Sequence, residues 1–378
     1  MRNVALLYGG KSGEHDVSCV SAASVLANLD PHEYAAILIG IDRDGTWRLQ
    51  KRGSQSSLDG MSSNEKSKIA MPSLGPIGPG NPVAVIPGKG LFAIDGSANA
   101  KKLDCDIVFP VLHGTFGEDG TVQGLLESAG IPYVGAGVLG SAIGMDKDVA
   151  KRLWKETGLP IVECIAVRKS DLSKSSCLDT LRRKISARFG WPCFVKPAAS
   201  GSSVGTSKVS TPDDLESALG QASQWGEKIL IERFVEAREL ECAVLGDESP
   251  VAFPPGEVVP THEFYDFEAK YEDPNGAKLV VPAAISEESA KKIESIAVSA
   301  FKACELSGMA RVDFFLDKRT GEILLNEVNT IPGFTAISMY PRLCANSGLT
   351  YAKLLDSLIN LGFEAFRRKS TLRYNYEG

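Results

Sequence analysis

Apolar positions along this chain follow two periods, and their order predicts the architecture. Val4-Ala5-Leu6-Leu7-Tyr8 and Ala35 to Ile41 are apolar runs of strand length, and the stretch between them, from about Val17 to Leu29, has helical spacing. A further run, Asp106 to Leu112, precedes another helix from about Gly120 to Ala129. Strand and helix in alternation predict an α/β fold with a parallel sheet covered by helices. Residues 50–100 interrupt it. They are rich in Ser, Gly, Pro and Asn, and read as loops and short strands inserted at the edge of a first unit, residues 1–140.

A helix from about Asp146 to Thr157 opens a second unit, residues 141–236, with strands near Ile161 to Val167, Cys193 to Lys196 and Ile229 to Glu232. The third unit, residues 237–378, holds a helix whose Ala290, Ile293, Ile296, Ala297, Ala300, Phe301 and Cys304 share one face, which is core. It also holds two strand-like runs, Arg311 to Asp317 and Leu324 to Asn329, joined by Asp-Lys-Arg-Thr-Gly. Side chains two apart on a strand share a face, so Arg311 goes with Asp313 and Glu327 with Asn329. A hairpin folded near its centre sets Asp313 close to opposite Glu327, and Arg311 close to opposite Asn329. Two carboxylates, an amide oxygen and a guanidinium then form one patch. A surface salt bridge on an exposed hairpin is the plain reading of such a pair. The chemical one is that oxygen-only donors suit Mg²⁺ or Mn²⁺ sharing its shell with nucleotide phosphates. Val312, Phe314, Leu316, Leu324 and Val328 supply the apolar face of a sheet and leave the charges in a cleft or on the outside.

Bulk properties narrow the class. At 378 residues the chain exceeds one ordinary core. A net charge of -6 argues against nucleic acid as a main partner, and no apolar run is long enough to cross a bilayer. The first strand begins almost at once, without the pattern of a signal peptide, so a cytoplasmic location is expected. Eight cysteines, at 19, 105, 164, 177, 193, 242, 304 and 344, form no Cys-x-x-Cys pair and read as buried thiols in a reducing compartment.

Lys196-Pro-Ala-Ala-Ser-Gly-Ser-Ser-Val-Gly205 follows a short strand. Such a loop folds backbone N–H groups over phosphate oxygens or is a flexible Ser/Gly connection, and composition leaves both open. It lacks the Gly-Lys-Ser/Thr ending of a Walker A loop. Ile229 to Val235 is a buried strand emerging into a polar turn, an edge that offers backbone groups to an adenine ring, with Glu239 placed for ribose hydroxyls. Gly9 and Gly10 follow the first strand as in a dinucleotide site, but the six-residue glycine fingerprint is absent. Residues 257–278 form a long polar loop containing Tyr265, Phe267 and Tyr271, and read as a lid.

Five motifs in order carry a resemblance: residues 8–18 (Tyr-Gly-Gly-Lys-Ser-Gly-Glu-His-Asp-Val-Ser), 112–120 (Leu-His-Gly-Thr-Phe-Gly-Glu-Asp-Gly), 196–205, 264–271 (Phe-Tyr-Asp-Phe-Glu-Ala-Lys-Tyr) and the hairpin. The chain resembles the ATP-grasp enzymes and, in detail, the D-alanine--D-alanine ligase family. That resemblance implies a three-domain ATP-grasp architecture with a parallel-sheet N-terminal domain and a nucleotide site between the central and C-terminal domains. It implies that ATP phosphorylates the carboxylate of one D-alanine and that the amine of a second attacks the acyl phosphate. Asp313, Glu327 and Asn329 match the ligands of two Mg²⁺ or Mn²⁺ ions, with Glu327 bridging. Lys147, Lys196 and Lys270 match phosphate-contacting lysines, Glu239 the ribose ligand, and Glu232 with Arg233 the adenine edge. Arg311 and the Gly333 N–H match the oxyanion pocket. Glu14 matches the acid that holds the first ammonium, with Ser202 and Tyr271 in its hydrogen-bonded set. His113 lies by the first substrate, and Ser338 and Met339 match positions binding the second carboxylate.

The partners implied are D-alanine and ATP, with a homodimer as the family expectation. The alternatives are a ligase for D-alanyl-D-lactate or D-alanyl-D-serine and a non-catalytic nucleotide-binding protein. A tyrosine at 271, where depsipeptide ligases carry a different lid, often with a histidine, favours the dipeptide.

Overall fold

The apolar run that opens the chain is a central strand. In the computed structural model, which describes residues 1–51, 74–97, 99–174, 176–260, 277–335 and 337–374, Arg2–Gly9 pairs in parallel with Tyr34–Ile41 on one side and Ile107–Pro110 on the other. Val4, Ala5, Leu6 and Leu7 are fully buried, as expected for a strand covered on both faces, and so the run is continuous instead of alternating. Trp47–Gln50 adds an antiparallel edge. The chain reaches one neighbour through the helix His15–Asn28 and the other only after residue 100, so the strand order reverses beside the first strand. Open α/β sheets bind ligands at such a reversal, beyond the carboxyl ends. Gly9 makes the exit possible: its φ is +88°, and a Cβ there would sit 2.4 Å from the Ile41 carbonyl oxygen.

The described part of the 50–100 insertion contains Val83–Ile86 and Gly90–Ile94, which with Ala100–Lys102 make a three-stranded antiparallel sheet. A second antiparallel sheet runs in the order Ser207–Val209, Cys193–Pro197, Lys228–Arg233, Cys164–Arg168. The helices Cys177–Arg188 and Leu215–Ala222 add Leu181, Ile185, Leu215 and Leu219 to its apolar core. Its first strand begins at Cys164, later than the expected Ile161. Pro160 and Ile161 instead contact Leu325 of the third sheet.

That third sheet is antiparallel, in the order Ala277–Val280, Gly256–Pro260, Ala237–Gly246, Gly308–Asp317, Ile323–Asn329. Alternation along its strands separates two chemistries. Leu240, Cys242, Val312, Phe314 and Leu325 join Ile293, Ala297 and Phe301 of the helix Glu287–Ala303 in one buried cluster. Glu239, Glu241, Arg311 and Asp313 have the opposite parity and line a cleft.

Two expectations need correction. The stretch 257–278 is not loop throughout: Gly256–Pro260 and Ala277–Val280 pair antiparallel, with Pro260 opposite Ala277. Val258, Val259, Leu279 and Val280 suit a pleated surface, and they supply this stem. Residues 261–276, with Lys270 and Tyr271, lie outside the described residues. All eight cysteines are free, but Cys105, Cys164 and Cys177 are only partly buried.

Candidate active site

The hairpin has the register its sequence predicts. Asp313 lies opposite Glu327 and Arg311 opposite Asn329, and a bulge follows at once, with Phe314 paired to Leu325. The extra residue is Asn326, which lets Leu325 return to the core while Glu327 faces the cleft. Arg311 holds Asp313 by two parallel bonds, Nε to Oδ1 at 2.7 Å and Nη2 to Oδ2 at 2.7 Å. Its Nε also stands 3.0 Å from Glu241 on the other neighbouring strand. Burial works against the guanidinium's charge, but Asp313 and Glu241 outweigh it and hold its pKa well above the ordinary value. The Asn329 amide donates to Asp313 at 3.0 Å.

A metal ion fits this donor set. Asp313, Glu327 and Asn329 bring oxygen ligands from two adjacent strands, and protein cations already compensate the two carboxylates: Arg311 on Asp313, and Lys147 at 3.3 Å from Glu327. Among the described residues no three His, Cys, Asp or Glu form a complete metal cage, so an ion here would draw on the amide and on bound phosphates.

Lys147 and Lys196 are set by different elements. Asp146 caps the helix Lys147–Glu156, accepting from Asp148 and Val149 at 3.1 Å, and so fixes Lys147 at the first helical position. The Lys147 ammonium also donates to the Ser200 carbonyl at 2.8 Å, tying this helix to the Gly/Ser loop. Lys196 points from Cys193–Pro197 to Glu232 at 2.6 Å, and Lys151 approaches the other Glu232 oxygen at 3.0 Å. Lys151 is 1% exposed and was missed in the sequence, where it reads as one more helical lysine. Burial lowers its pKa against the pull of Glu232. For Lys196 burial also acts downward, but Glu232 and Glu327 prevail and the pKa is raised.

Lys147, Lys196, Glu232, Arg311, Asp313 and Glu327 line one cleft of about 820 Å³ with Glu239, Arg233, Phe194, Phe234 and Ser202. Phe194 and Phe234 face each other with ring centroids 6.0 Å apart, an apolar wall suited to a flat base. Sequence reasoning missed them because a phenylalanine in a strand reads as core.

Glu14 stands just before His15–Asn28, at a helix N-terminus that favours its charge. It accepts a hydrogen bond from Ser202, which brings the first sheet's exit loop against the Gly/Ser loop. Ser202 and Ser203 have φ of 48° and 58°, a conformation sparsely used by residues with a Cβ. His113 is buried: Nδ1 donates to the Ile331 carbonyl at 3.0 Å, so Nε2 of the neutral ring accepts from Ser21 at 3.0 Å. Burial lowers its pKa, in keeping with that neutral form. The His113 ring is thus held at both nitrogens. Glu118, from the same motif and not anticipated, accepts from the Gly114 and Ile331 amides at 2.7 and 2.9 Å.

Gly333 packs against Ser338, whose Oγ lies 2.8 Å from where a Cβ would be. Ser338 accepts from the Thr335 amide at 3.0 Å and precedes the helix Met339–Asn346. The Met339 side chain is core, packed on Gly256, so only its backbone amide is available to a ligand. Lys270 and Tyr271 fall outside the described residues.

Comparison with known proteins covers almost the whole chain. Residues 3–136 match the family model D-ala D-ala ligase N-terminus and residues 153–360 the model D-ala D-ala ligase C-terminus. A D-alanine--D-alanine ligase of Treponema denticola is 44% identical, covering 98% of each chain. One from a Thermoanaerobacter strain is 45% identical over 97% of this chain and 98% of its own. Among solved structures, the D-alanine-D-alanine ligase of Coxiella burnetii superposes with a TM-score of 0.81 at 34% identity, covering 98% of this chain and 96% of its own. The VanG D-Ala:D-Ser ligase of Enterococcus faecalis gives 0.79 at 34% identity, covering 96% and 99%.

Proposed function

We propose, for a chain that belongs to the D-alanine--D-alanine ligase family, that it joins two D-alanines at the expense of ATP, releasing ADP and phosphate, and supplies D-alanyl-D-alanine for peptidoglycan precursors. The observation that carries this reading is the gathering of Lys147, Lys196, Arg311, Asp313, Glu327 and the Glu14-bonded Ser202 around one cleft. Separate elements of the chain supply them, and a protein that only bound nucleotide has no use for the whole set.

In this reading Lys147 and Lys196, with Lys270, hold the phosphates, while Glu232, Arg233 and Glu239 border base and ribose. Asp313, Glu327 and Asn329 would hold two Mg²⁺ or Mn²⁺ ions, which neutralise phosphate charge. Glu14 holds the ammonium of the first D-alanine, supported by Ser202 and, in the family pattern, Tyr271; His113 shapes that end of the site. A carboxylate oxygen of the first substrate takes the γ-phosphoryl group and ADP leaves. The second D-alanine's amine then attacks the carbonyl carbon, a C–N bond forms, the C–O bond to phosphate breaks, and the amine gives up a proton. Arg311 and the Gly333 N–H face the developing oxyanion. Ser338 and the Met339 N–H, at a helix N-terminus, receive the second carboxylate. No covalent bond to the protein is needed, so its work is positioning and charge stabilisation. The reading includes a cytoplasmic homodimer and the division into residues 1–140, 141–236 and 237–378.

A D-serine reading for the second substrate has one support, the superposition on VanG. The relatives at 44–45% identity bear the D-alanine name. ADP release with D-alanine alone, and with added D-serine or D-lactate, tests the choice. D-alanine alone should sustain turnover with the dipeptide as main product. A mixed product dominating in competition overturns it.

A further inference from the structure

Three carboxylates lie in a lateral row across three adjacent strands. Glu241 is opposite Asp313, and Asp313 is opposite Glu327. Directly paired residues of an antiparallel sheet project from the same face, and all three line the cleft. Asp313 and Glu327 belong to the ligand set above; Glu241 has no part in it. Between Glu241 and Asp313 sits Arg311, its Nε 2.7 Å from Asp313 Oδ1 and 3.0 Å from Glu241 Oε2. The three side chains are only 21%, 13% and 14% exposed for Arg311, Asp313 and Glu241.

This arrangement sets a conflict. Arg311 cannot lose its proton, so it needs an anionic partner throughout the cycle. Both Asp313 oxygens are engaged by the guanidinium. A divalent cation drawn to Asp313 competes for those oxygens and repels the guanidinium beside them. A second carboxylate on the far side of Arg311 resolves it. The geometry points to Glu241 as a positioning residue that retains Arg311 when a divalent cation engages Asp313, so that ion binding and the oriented guanidinium coexist. This rests on the reading of Asp313 as a metal ligand.

Glu241→Gln keeps the size of the side chain and removes its charge, leaving Arg311 to lean on Asp313 alone. Binding of Mn²⁺ is read from the free-ion electron paramagnetic resonance signal, in the presence of a non-hydrolysable ATP analogue. Affinity should fall about tenfold or more, the range seen when groups that support metal ligands are removed. Glu241→Asp, which retains the charge, should recover part of it. In an Arg311→Met background Glu241→Gln should have no further effect, since the competitor is gone; a merely structural role would persist there. Glu327→Gln separates the two levels: if it leaves Mn²⁺ binding unchanged, the hairpin is not the metal site. If Glu327→Gln weakens binding while Glu241→Gln matches the unmodified protein, or acts equally without Arg311, the role of Glu241 is overturned.

Discussion

Ser202 donates its hydroxyl to Glu14 although 188 residues separate them in the chain. Space for the pair comes from two glycines: a Cβ at Gly114 would fall 2.6 Å from Glu14 Oε2, and one at Gly201 2.7 Å from the same atom. Ser202→Ala removes this donor to a buried carboxylate, and a hydrogen bond to a charged group is worth on the order of 1–3 kcal/mol. The KM for the first D-alanine should rise roughly fivefold to a hundredfold, with the KM for ATP little changed. Gly201→Ala should do the same by displacing the carboxylate. Steady-state kinetics with each substrate varied in turn at saturating levels of the other check both, and a shift confined to the ATP KM would place the pair elsewhere in the reaction.

Arg311→Lys retains a positive charge but loses the planar fork that meets both Asp313 oxygens. One ammonium cannot reproduce the parallel bonds to Asp313 and also stay near Glu241. Turnover should fall about a hundredfold or more, as when one donor to a developing oxyanion is lost. The melting temperature, measured alongside, should move by only a few degrees because the cation still compensates its carboxylates. Normal turnover in this variant contradicts the oxyanion role.

Glu118 links stability to pH. Burial, followed by the charge of Glu14, lifts its pKa from 4.5 to about 8, although two backbone amides favour the ionised form. Between those values the folded protein holds a proton that the unfolded chain has released. The contribution is therefore fully present below about 4.5 and is lost as the pH rises through about 8, at ~1.4 kcal/mol per unit inside the window. Urea midpoints should fall from pH 6 to pH 8.5. Glu118→Gln, which cannot ionise, should flatten that part of the dependence; an unchanged slope assigns it to other groups.

How much of the site was legible depended on whether its signal was local. The pairing of Asp313 with Glu327 follows from parity and a short turn, both visible in twenty residues, and the structure has that register. The bulge has a local trace as well: Asn326 and Glu327 are consecutive polar residues between Leu325 and Val328, the break in alternation that one inserted residue makes. Lys151, Glu118 and Glu241 carried no such signal. Each is an ordinary charged residue in its own segment, and acquires meaning only from groups brought to it by distant parts of the chain, Glu232, Ile331 and Arg311. The ends of the expected lid were misread because polar residues between them masked two short apolar stretches that pair with each other.

The buried trio Lys151, Glu232 and Lys196 gives the most discriminating stability test. Glu232 is 3% exposed and Lys151 1%, and the carboxylate lies 3.0 Å from one ammonium and 2.6 Å from the other. Two cations share one anion, so the variants are not equivalent. Lys151→Met removes the charge that burial already disfavours and leaves a matched pair of Glu232 with Lys196. A buried ion exchanged for an apolar chain of similar volume is often neutral or stabilising, so its melting temperature should stay near that of the unmodified protein. Glu232→Gln removes the carboxylate that is ion-paired with both lysines and leaves the two buried ammonium groups beside each other. Breaking a buried pair in this way costs about 3–5 kcal/mol, and the melting temperature should drop clearly. The pH response distinguishes them again. Without the carboxylate, burial lowers the Lys151 pKa further below its unfolded value, so the unfolded chain binds the extra proton and stability should rise with pH through that window. Thermal melts of both variants at pH 7 and pH 9 decide the matter. Equal losses for Lys151→Met and Glu232→Gln would mean that packing, and not the two-to-one charge balance, holds this part of the cleft together.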